Sequence, residues 1–261
     1  LEGVILETIF ISHGSPDLPL RPSLTRDFIL QLGQKLEKPK AILVISAHWN
    51  SNSNLVSATI NPKTIHDFVG FPSELYQLNY PAPGAPQLAH RTHDLLKQKG
   101  FASEIVTDRG LDHGAWNPLM LIYPEADIPV TQLSIQPHQD ATYHYRLGQA
   151  LAPLKEEGVL ILASGSATHN LWEIGKYATP PNWVVEFSDW LSEKLLTGDW
   201  QALLDYENLA PYAKRNHPTS EHLLPLFVAM GASGEGSKAV QLHSSYTYGV
   251  LSMAAFAFQT Q

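Results

Sequence analysis

The chain has 261 residues, of which 44% are apolar, and a formal net charge of −8. Such a composition supports a sizeable core, excludes wholesale disorder and argues against a nucleic-acid surface, since no long basic run accompanies the acidic balance. There is no cysteine, so disulfides and thiolate metal sites are excluded, and any metal must be held by His, Asp or Glu. No stretch approaches the roughly 20 apolar residues that span a bilayer, and no secretory signal pattern is read. The expectation is a cytoplasmic protein without membrane association.

In chain order, the first apolar run is "VILETIFIS" (4–12), rich in β-branched residues and read as a buried strand. "SLTRDFILQLGQKLEK" (23–38) follows with Leu24, Phe28, Leu32 and Leu36 at helical spacing. "AILVIS" (41–46) and "LVSATI" (55–60) are strands by the same criterion. The turn-rich piece "HDFVGFPSELYQLNYPAPGAPQ" (66–87) holds four prolines and several aromatic residues and reads as an irregular excursion, a candidate wall of an active site. A helix over 86–100 stops at Gly100. "LDHGAWNPL" (111–119) leads into helix-like "NPLMLIY", with Pro118 expected in the first turn and His113 in the loop before it, beside Trp116. Strands are predicted over 128–135 and 158–164, and helices over 141–158, 182–198 and 220–232, the last with Pro225 in its first turn. Alternating strands and helices predict an α/β fold, a single domain over 1–261 whose central, mostly parallel or mixed sheet is flanked by helices on both faces.

Twelve histidines beside 17 Lys and Arg are the conspicuous feature. Histidine is the commonest metal ligand and a general acid or base near neutral pH. Four fall where strands end: His13 after "TIFIS", His48 after "ILVISA", His138 after "TQLSIQP" and His169 after "VLILASGSAT". Open α/β sheets bind ligands beyond the carboxyl ends of their strands, so converging loops would bring several imidazoles together. His138 is read as structural or as a support behind the ligands. The small residues of "HGSP" and "SGSATHN" favour close backbone approach.

Several long pieces carry a resemblance: "HGSP", "KAILVISAHW", "TIHDFVGFPSELYQLNYPAPG", "GLDHGAWNPLMLIYPEADIPVTQLSIQPH", "GVLILASGSATHNL" and "PTSEHLLPLFVAMGA". They resemble the class III extradiol ring-cleaving dioxygenases, in the 4,5-DOPA dioxygenase branch of betalain-making plants and bacterial relatives. "LHSSYTYGVLSMAAFAF" extends the match more weakly. The resemblance implies a mononuclear non-haem Fe(II) enzyme that opens catechol rings with O₂, acting on L-DOPA or a related catechol. It implies metal ligation by His13 and His48, with His222 at the third position. The broader family has a glutamate there, and Glu221 stands next to His222 as the alternative. It further implies acid–base roles for His113 and His169, the latter also a metal ligand in the resting state.

Extradiol cleavage needs a facial set of protein ligands that leaves room for two catechol oxygens and O₂. It also needs a base to take a phenol proton and an acid to return one. Three imidazoles suit Zn(II) as well as Fe(II), so a zinc hydrolase with a His-ligated water is the alternative reading. For the ammonium and carboxylate of DOPA the candidate partners are Arg215, Lys214, Asp17 and Tyr246; for its ring they are Trp116, Trp49 and Tyr76. Expected partners are thus a catechol and O₂, with no nucleic acid.

Overall fold

The computed structural model describes residues 8–259; residues 4–7 of the first predicted strand lie outside that range. Strand β1 (Thr8–Ser12) is followed by helix α1 (Leu24–Lys35), β2 (Ala41–Asn50) and β3 (Asn54–Ser57). Then come α2 (Pro86–Gln98), β4 (Ser103–Val106), α3 (His113–Ile122), β5 (Val130–Ile135) and α4 (Ala141–Leu151). The short α5 (Pro153–Glu156) precedes β6 (Val159–Gly165) and the long α6 (Asn182–Thr197). Three short helices, α7 (Trp200–Leu204), α8 (Tyr206–Leu209) and α9 (Ala213–Asn216), lead to α10 (Leu224–Ala232). The described part closes with β7 (Lys238–His243), β8 (Tyr246–Thr247), β9 (Leu251–Ser252) and β10 (Ala255–Gln259).

Eight strands form one mixed sheet in the order β4-β3-β5-β2-β6-β1-β10-β7. The central strands β5, β2, β6 and β1 run parallel, while β3 and β10 join them antiparallel. All five residues of β1 and all seven of β6 are buried, as strands covered by helices on both faces must be. One face packs Leu88, Leu147, Phe187 and Phe227 of α2, α4, α6 and α10 against Leu43, Ile161 and Phe256. The other packs Ile29 and Leu32 of α1 and Trp116 and Leu119 of α3 against Ile9, Val44 and Leu162. Helices therefore cover both faces, as the alternation predicts.

The predicted elements shift in informative places. The buried stripe of α1 is Thr25, Ile29 and Leu32, while Leu24 is exposed: Ser23 caps the helix through Arg26 N–H, and Leu24 is left in the solvent-facing first turn. The predicted helix 141–158 breaks before Pro153, which cannot supply the N–H that continues it. Helix α10 is buried at every residue, and Pro225 lies in its first turn as expected. The expected loop at His113 is instead the first residue of α3, with Pro118 in the helix interior. Its missing N–H frees the Gly114 carbonyl, and the buried Ser164 hydroxyl donates to that oxygen. Strands β4, β7, β8, β9 and β10 are additions to the predicted set. β4 is a four-residue edge strand with a glutamate in it, and β10 alternates Ala and Phe, too short for periodicity to separate strand from helix.

Candidate metal centre and its cavity

The carboxyl ends of β1, β2 and β6 meet at one edge of the sheet. His13 follows β1, and its N–H donates to the Gly165 carbonyl at the end of β6. Gly14 then turns the chain at φ +65, where an added Cβ would strike Met253; only glycine takes that turn freely. His48 projects from an irregular stretch of β2. The pairing with β5 runs to Ile45–Leu133 and resumes only at Asn50–Ile135. The surplus residues bulge, and a bulge re-aims side chains. His222 stands just ahead of α10, where its carbonyl accepts from Ser166 N–H at 2.8 Å. An added Cβ on Gly165 would lie 2.1 Å from that carbonyl, so the small residues of "SGSA" admit the His222 loop. His169 arrives from the loop after β6, tied by its N–H to the Asn216 carbonyl at 2.9 Å.

The structure brings together His13, His48, His113, His169 and His222 around one cavity of about 510 Å³. The Nε2 atom of His48 lies 3.3 Å from that of His13 and 3.2 Å from that of His222. Ligand atoms of His13, His48 and His113 lie within 4.8 Å of one another, as do those of His169, Glu221 and His222. The ring of His169 stacks on His222, centroids 3.3 Å apart. His138, which also ends a strand, is exposed on the loop after β5 and takes no part.

Carboxylates behind the imidazoles fix their tautomers. Asp67 accepts from the backbone N–H of His113 and lies 3.0 Å from its Nδ1; its other oxygen is 3.5 Å from His48 Nδ1. Glu221 lies 3.0 Å from His222 Nδ1. With Nδ1–H held this way, the Nε2 lone pairs face the cavity. A third carboxylate, the fully buried Asp112, accepts from Ser46 Oγ, Arg109 Nη2 and Gln132 Nε2. It anchors the turn into α3 beneath His48, whose carbonyl accepts from the same Arg109. Burial would raise the Asp67 carboxyl, but the hydrogen bonds and charge of His113 bring it down to about 2.

Burial is also the main force on the imidazoles. It lowers His13 and His222 well below the ordinary histidine range, helped by repulsion from the neighbouring histidines. Burial and then His113 bring His48 down to about 4, and burial and then His217 bring His169 to about 3. His13, His48, His169 and His222 are thus uncharged near neutral pH, which leaves them lone pairs to offer a cation. His13 Nδ1 is buried without a hydrogen-bond partner.

The rest of the cavity is mostly apolar. Phe68, Phe71, Leu171, Ile174 and Leu251 wall it, with Tyr248 and Ser166 as polar points. The piece 66–87, read as a wall, does supply Asp67, Phe68 and Phe71. Among residues named from sequence as ring or side-chain partners, Trp116 is fully buried and donates its indole N–H to the Ile65 carbonyl. It backs Phe68 at 6.2 Å between ring centroids instead of facing the cavity. Trp49 is buried under Arg109, and the Tyr76 ring lies tilted against Phe68, centroids 5.3 Å apart. Arg215 lies over the Trp183 ring at 4.3 Å and donates to Tyr177 Oη. Tyr246 packs with Trp183 and Val250, and Lys214 opens on a different hollow; none of these lines the cavity. Sequence reasoning missed Asp67, Asp112 and Tyr248. "HDF" beside a histidine was a usable signal for the first; nothing local marks the other two.

Among the described residues, no helix is long and apolar enough to cross a membrane. Residues 23–258 match the family model described as the catalytic LigB subunit of aromatic ring-opening dioxygenase. The chain is 51% identical to a 4,5-DOPA dioxygenase extradiol of Beta vulgaris, with 98% of each chain covered. It is 38% identical to a protein of that name from Escherichia coli strain K12, over 87% of this chain and 85% of the relative. A solved structure of an uncharacterized protein from Escherichia coli K12 superposes with a TM-score of 0.80 at 31% identity, covering 95% of this chain and 97% of the other. The imidazole cluster and these likenesses agree, and the chain belongs to the LigB family of extradiol, aromatic ring-opening dioxygenases.

Proposed function

We propose that this enzyme cleaves L-DOPA by 4,5-extradiol ring opening with O₂ at a single non-haem Fe(II), giving 4,5-seco-DOPA, the precursor of betalamic acid. The observation that carries the metal site is the convergence of the Nε2 atoms of His13, His48 and His222 at 3.2 and 3.3 Å along His48. Metal–nitrogen bonds of about 2.0–2.1 Å in a tetrahedral set separate the nitrogens by roughly 3.3 Å. His48 and His222, whose Nδ1 atoms face carboxylates, turn Nε2 lone pairs toward each other at 3.2 Å, and these repel unless a cation lies between them. The residues therefore fit a divalent metal, and these three are its ligands. His113 is left out because the close Nε2 contacts join His13, His48 and His222, and it takes the acid–base role that the family resemblance implies. When bound, Fe(II) supplies Lewis acidity toward the catechol and redox chemistry toward O₂.

The remaining steps belong to the chain's own groups. His169, held neutral by burial, accepts a catechol hydroxyl proton on its ring nitrogen and later returns it to the departing oxygen. His113, oriented by Asp67, hydrogen-bonds to the reacting oxygens through Nε2. Phe68, Phe71, Leu171, Ile174 and Leu251 flank the ring and exclude water, which strengthens each polar contact inside. The likeness to the Beta vulgaris enzyme supports DOPA as substrate.

The test is anaerobic loading with Fe(II), then addition of O₂ and a catechol panel. One O₂ consumed per L-DOPA with a yellow product supports the reading. No uptake with L-DOPA, caffeate or protocatechuate overturns it. Imidazole ligands also suit Zn(II), so a parallel zinc-loaded sample is assayed without oxygen against esters; turnover there would mark a hydrolase.

A further inference from the structure

Tyr248 stands on the cavity wall, and behind it the structure holds a charged recess. Ser15 and Tyr248 line both the main cavity and a smaller hollow of about 70 Å³, which Asp17, Arg21, Thr247 and Met253 enclose. That volume holds about two water molecules, so it takes a small polar group and no second ring. The Arg21 guanidinium donates to the Tyr248 hydroxyl and lies 4.9 Å from the centre of its ring. Arg21 Nη1 is 3.5 Å from Asp17 Oδ2, and the Tyr248 hydroxyl donates to the same carboxylate oxygen at 3.4 Å. One cation, one anion and one hydroxyl are thus gathered at the mouth of the recess.

The backbone is bent to keep them there. Tyr248 has φ 54, one of only three non-glycine residues in the left-handed region among those described. This conformation costs on the order of 1–3 kcal/mol and points to a functional demand. Gly249 follows at φ +76, where an added Cβ would lie 2.4 Å from the Tyr177 carbonyl. On the other side, Asp17 lies four residues past His13. At 3.3–3.6 Å per residue, its Cα is within roughly 14 Å of the His13 Cα, which a catechol with a three-carbon side chain can bridge.

Other charges do not compete. Asp67, the carboxylate that lines the main cavity among the described residues, is committed to His113 and His48. Arg215 is engaged with Trp183 and Tyr177. The Arg21 side chain is 52% exposed and Asp17 24%, so their ion pair is weak and opens at little cost.

We propose that Asp17, Arg21 and Tyr248 form a zwitterion-reading subsite that selects catechols carrying an α-amino acid end. Arg21 receives the substrate carboxylate, Asp17 receives the ammonium, and the Tyr248 hydroxyl bridges the two. The inference rests on the ring-opening reading above and adds the residues that choose among catechols.

The test compares kcat/KM for L-DOPA, dopamine, dihydrocaffeate and 4-methylcatechol, which present both charges, the cation, the anion or neither. A charge-assisted hydrogen bond is worth about tenfold in such ratios. Arg21→Gln is expected to lower the L-DOPA to dopamine ratio about tenfold, and Arg21→Lys to restore part of it. Asp17→Asn is expected to lower the L-DOPA to dihydrocaffeate ratio by a similar factor. Tyr248→Phe lowers both ratios less. Variants that change all four substrates by one common factor overturn the subsite, since a merely structural role predicts that result. If the wild-type protein opens none of the four rings, the ring-opening reading falls by itself. Calorimetric binding of L-DOPA without oxygen then decides the subsite: weaker binding in Arg21→Gln supports it, and equal binding overturns it.

Discussion

The floor of the cavity and the start of α4 both bury histidine, and they use it in opposite ways. His144 in α4 is fully buried, and burial lowers it to about 4, the same value as His48 on the floor. Yet both His144 nitrogens are spoken for. Nδ1–H donates to the Asp140 carbonyl at 2.8 Å, and Nε2 accepts from Gln136 N–H at 3.2 Å. On the floor, carboxylates take the Nδ1–H groups of His113 and His222, and the Nε2 atoms of His13, His48 and His222 face one another instead of a donor. Burial and a lowered proton affinity therefore do not distinguish a site from a scaffold. The distinguishing feature is a set of ring nitrogens converging on one point, with carboxylates behind His48 and His222.

That contrast breaks most visibly at the proposed ligands. His13→Ala, His48→Ala or His222→Ala should abolish O₂ uptake, and elemental analysis after iron loading should show metal falling to background. His144→Asn should keep full metal content, and a loss of iron in that variant would sink the contrast. Next in size, His169→Ala and His113→Ala should retain metal while kcat falls by about 10²–10⁴-fold, the usual worth of a general acid or base. Loss of metal in either would move that residue into the ligand set. Asp67→Asn should have a smaller effect, about 10–100-fold in activity or metal affinity, as found for groups that orient a metal site from behind; metal titration together with steady-state rates reads it.

The smallest effect on catalysis, and a clear one on stability, belongs to His144. Its folded-state value of about 4 lies below the ordinary 6.5, so the unfolded chain binds a proton first as pH falls. Its contribution is complete above about 6.5 and is lost as pH drops toward 4. The difference amounts to about 3 kcal/mol. Denaturant unfolding of wild type and His144→Asn from pH 7 to 4 should show the wild type losing stability more steeply. Parallel curves would mean that this imidazole does not titrate as its buried contacts imply.

Much of the site is legible in the amino-acid sequence. Short Ile- and Val-rich runs must be buried strands in a doubly covered sheet, and such sheets bind at their carboxyl edge, so pattern alone points to four strand-end histidines, of which His13, His48 and His169 meet and the exposed His138 does not. His222 and the proposed acid–base roles of His113 and His169 come from the resemblance, because a residue ahead of a distant helix leaves no local trace of its neighbours. The wall of 66–87 is legible as a turn-rich excursion, although its most consequential member, Asp67, does not stand out within it. The aromatic and charged residues named as substrate partners are the least legible. Trp116 and Arg215 have suitable chemistry, but their side chains are spent on Ile65 and on Trp183 and Tyr177.

The sequence by itself determined the alternating α/β layout, the histidines at the strand ends and the absence of thiolate ligands, because periodicity, turn residues and composition are local properties. The tertiary structure alone decided that the Nε2 atoms of His13, His48 and His222 meet, that His113 begins a helix, and that Asp17, Arg21 and Tyr248 share one recess. Tyr248 and Asp17 lie 231 positions apart. Only packing of the whole sheet brings such groups within hydrogen-bonding range, and the carboxylates it places behind His113 and His222 then set their tautomers.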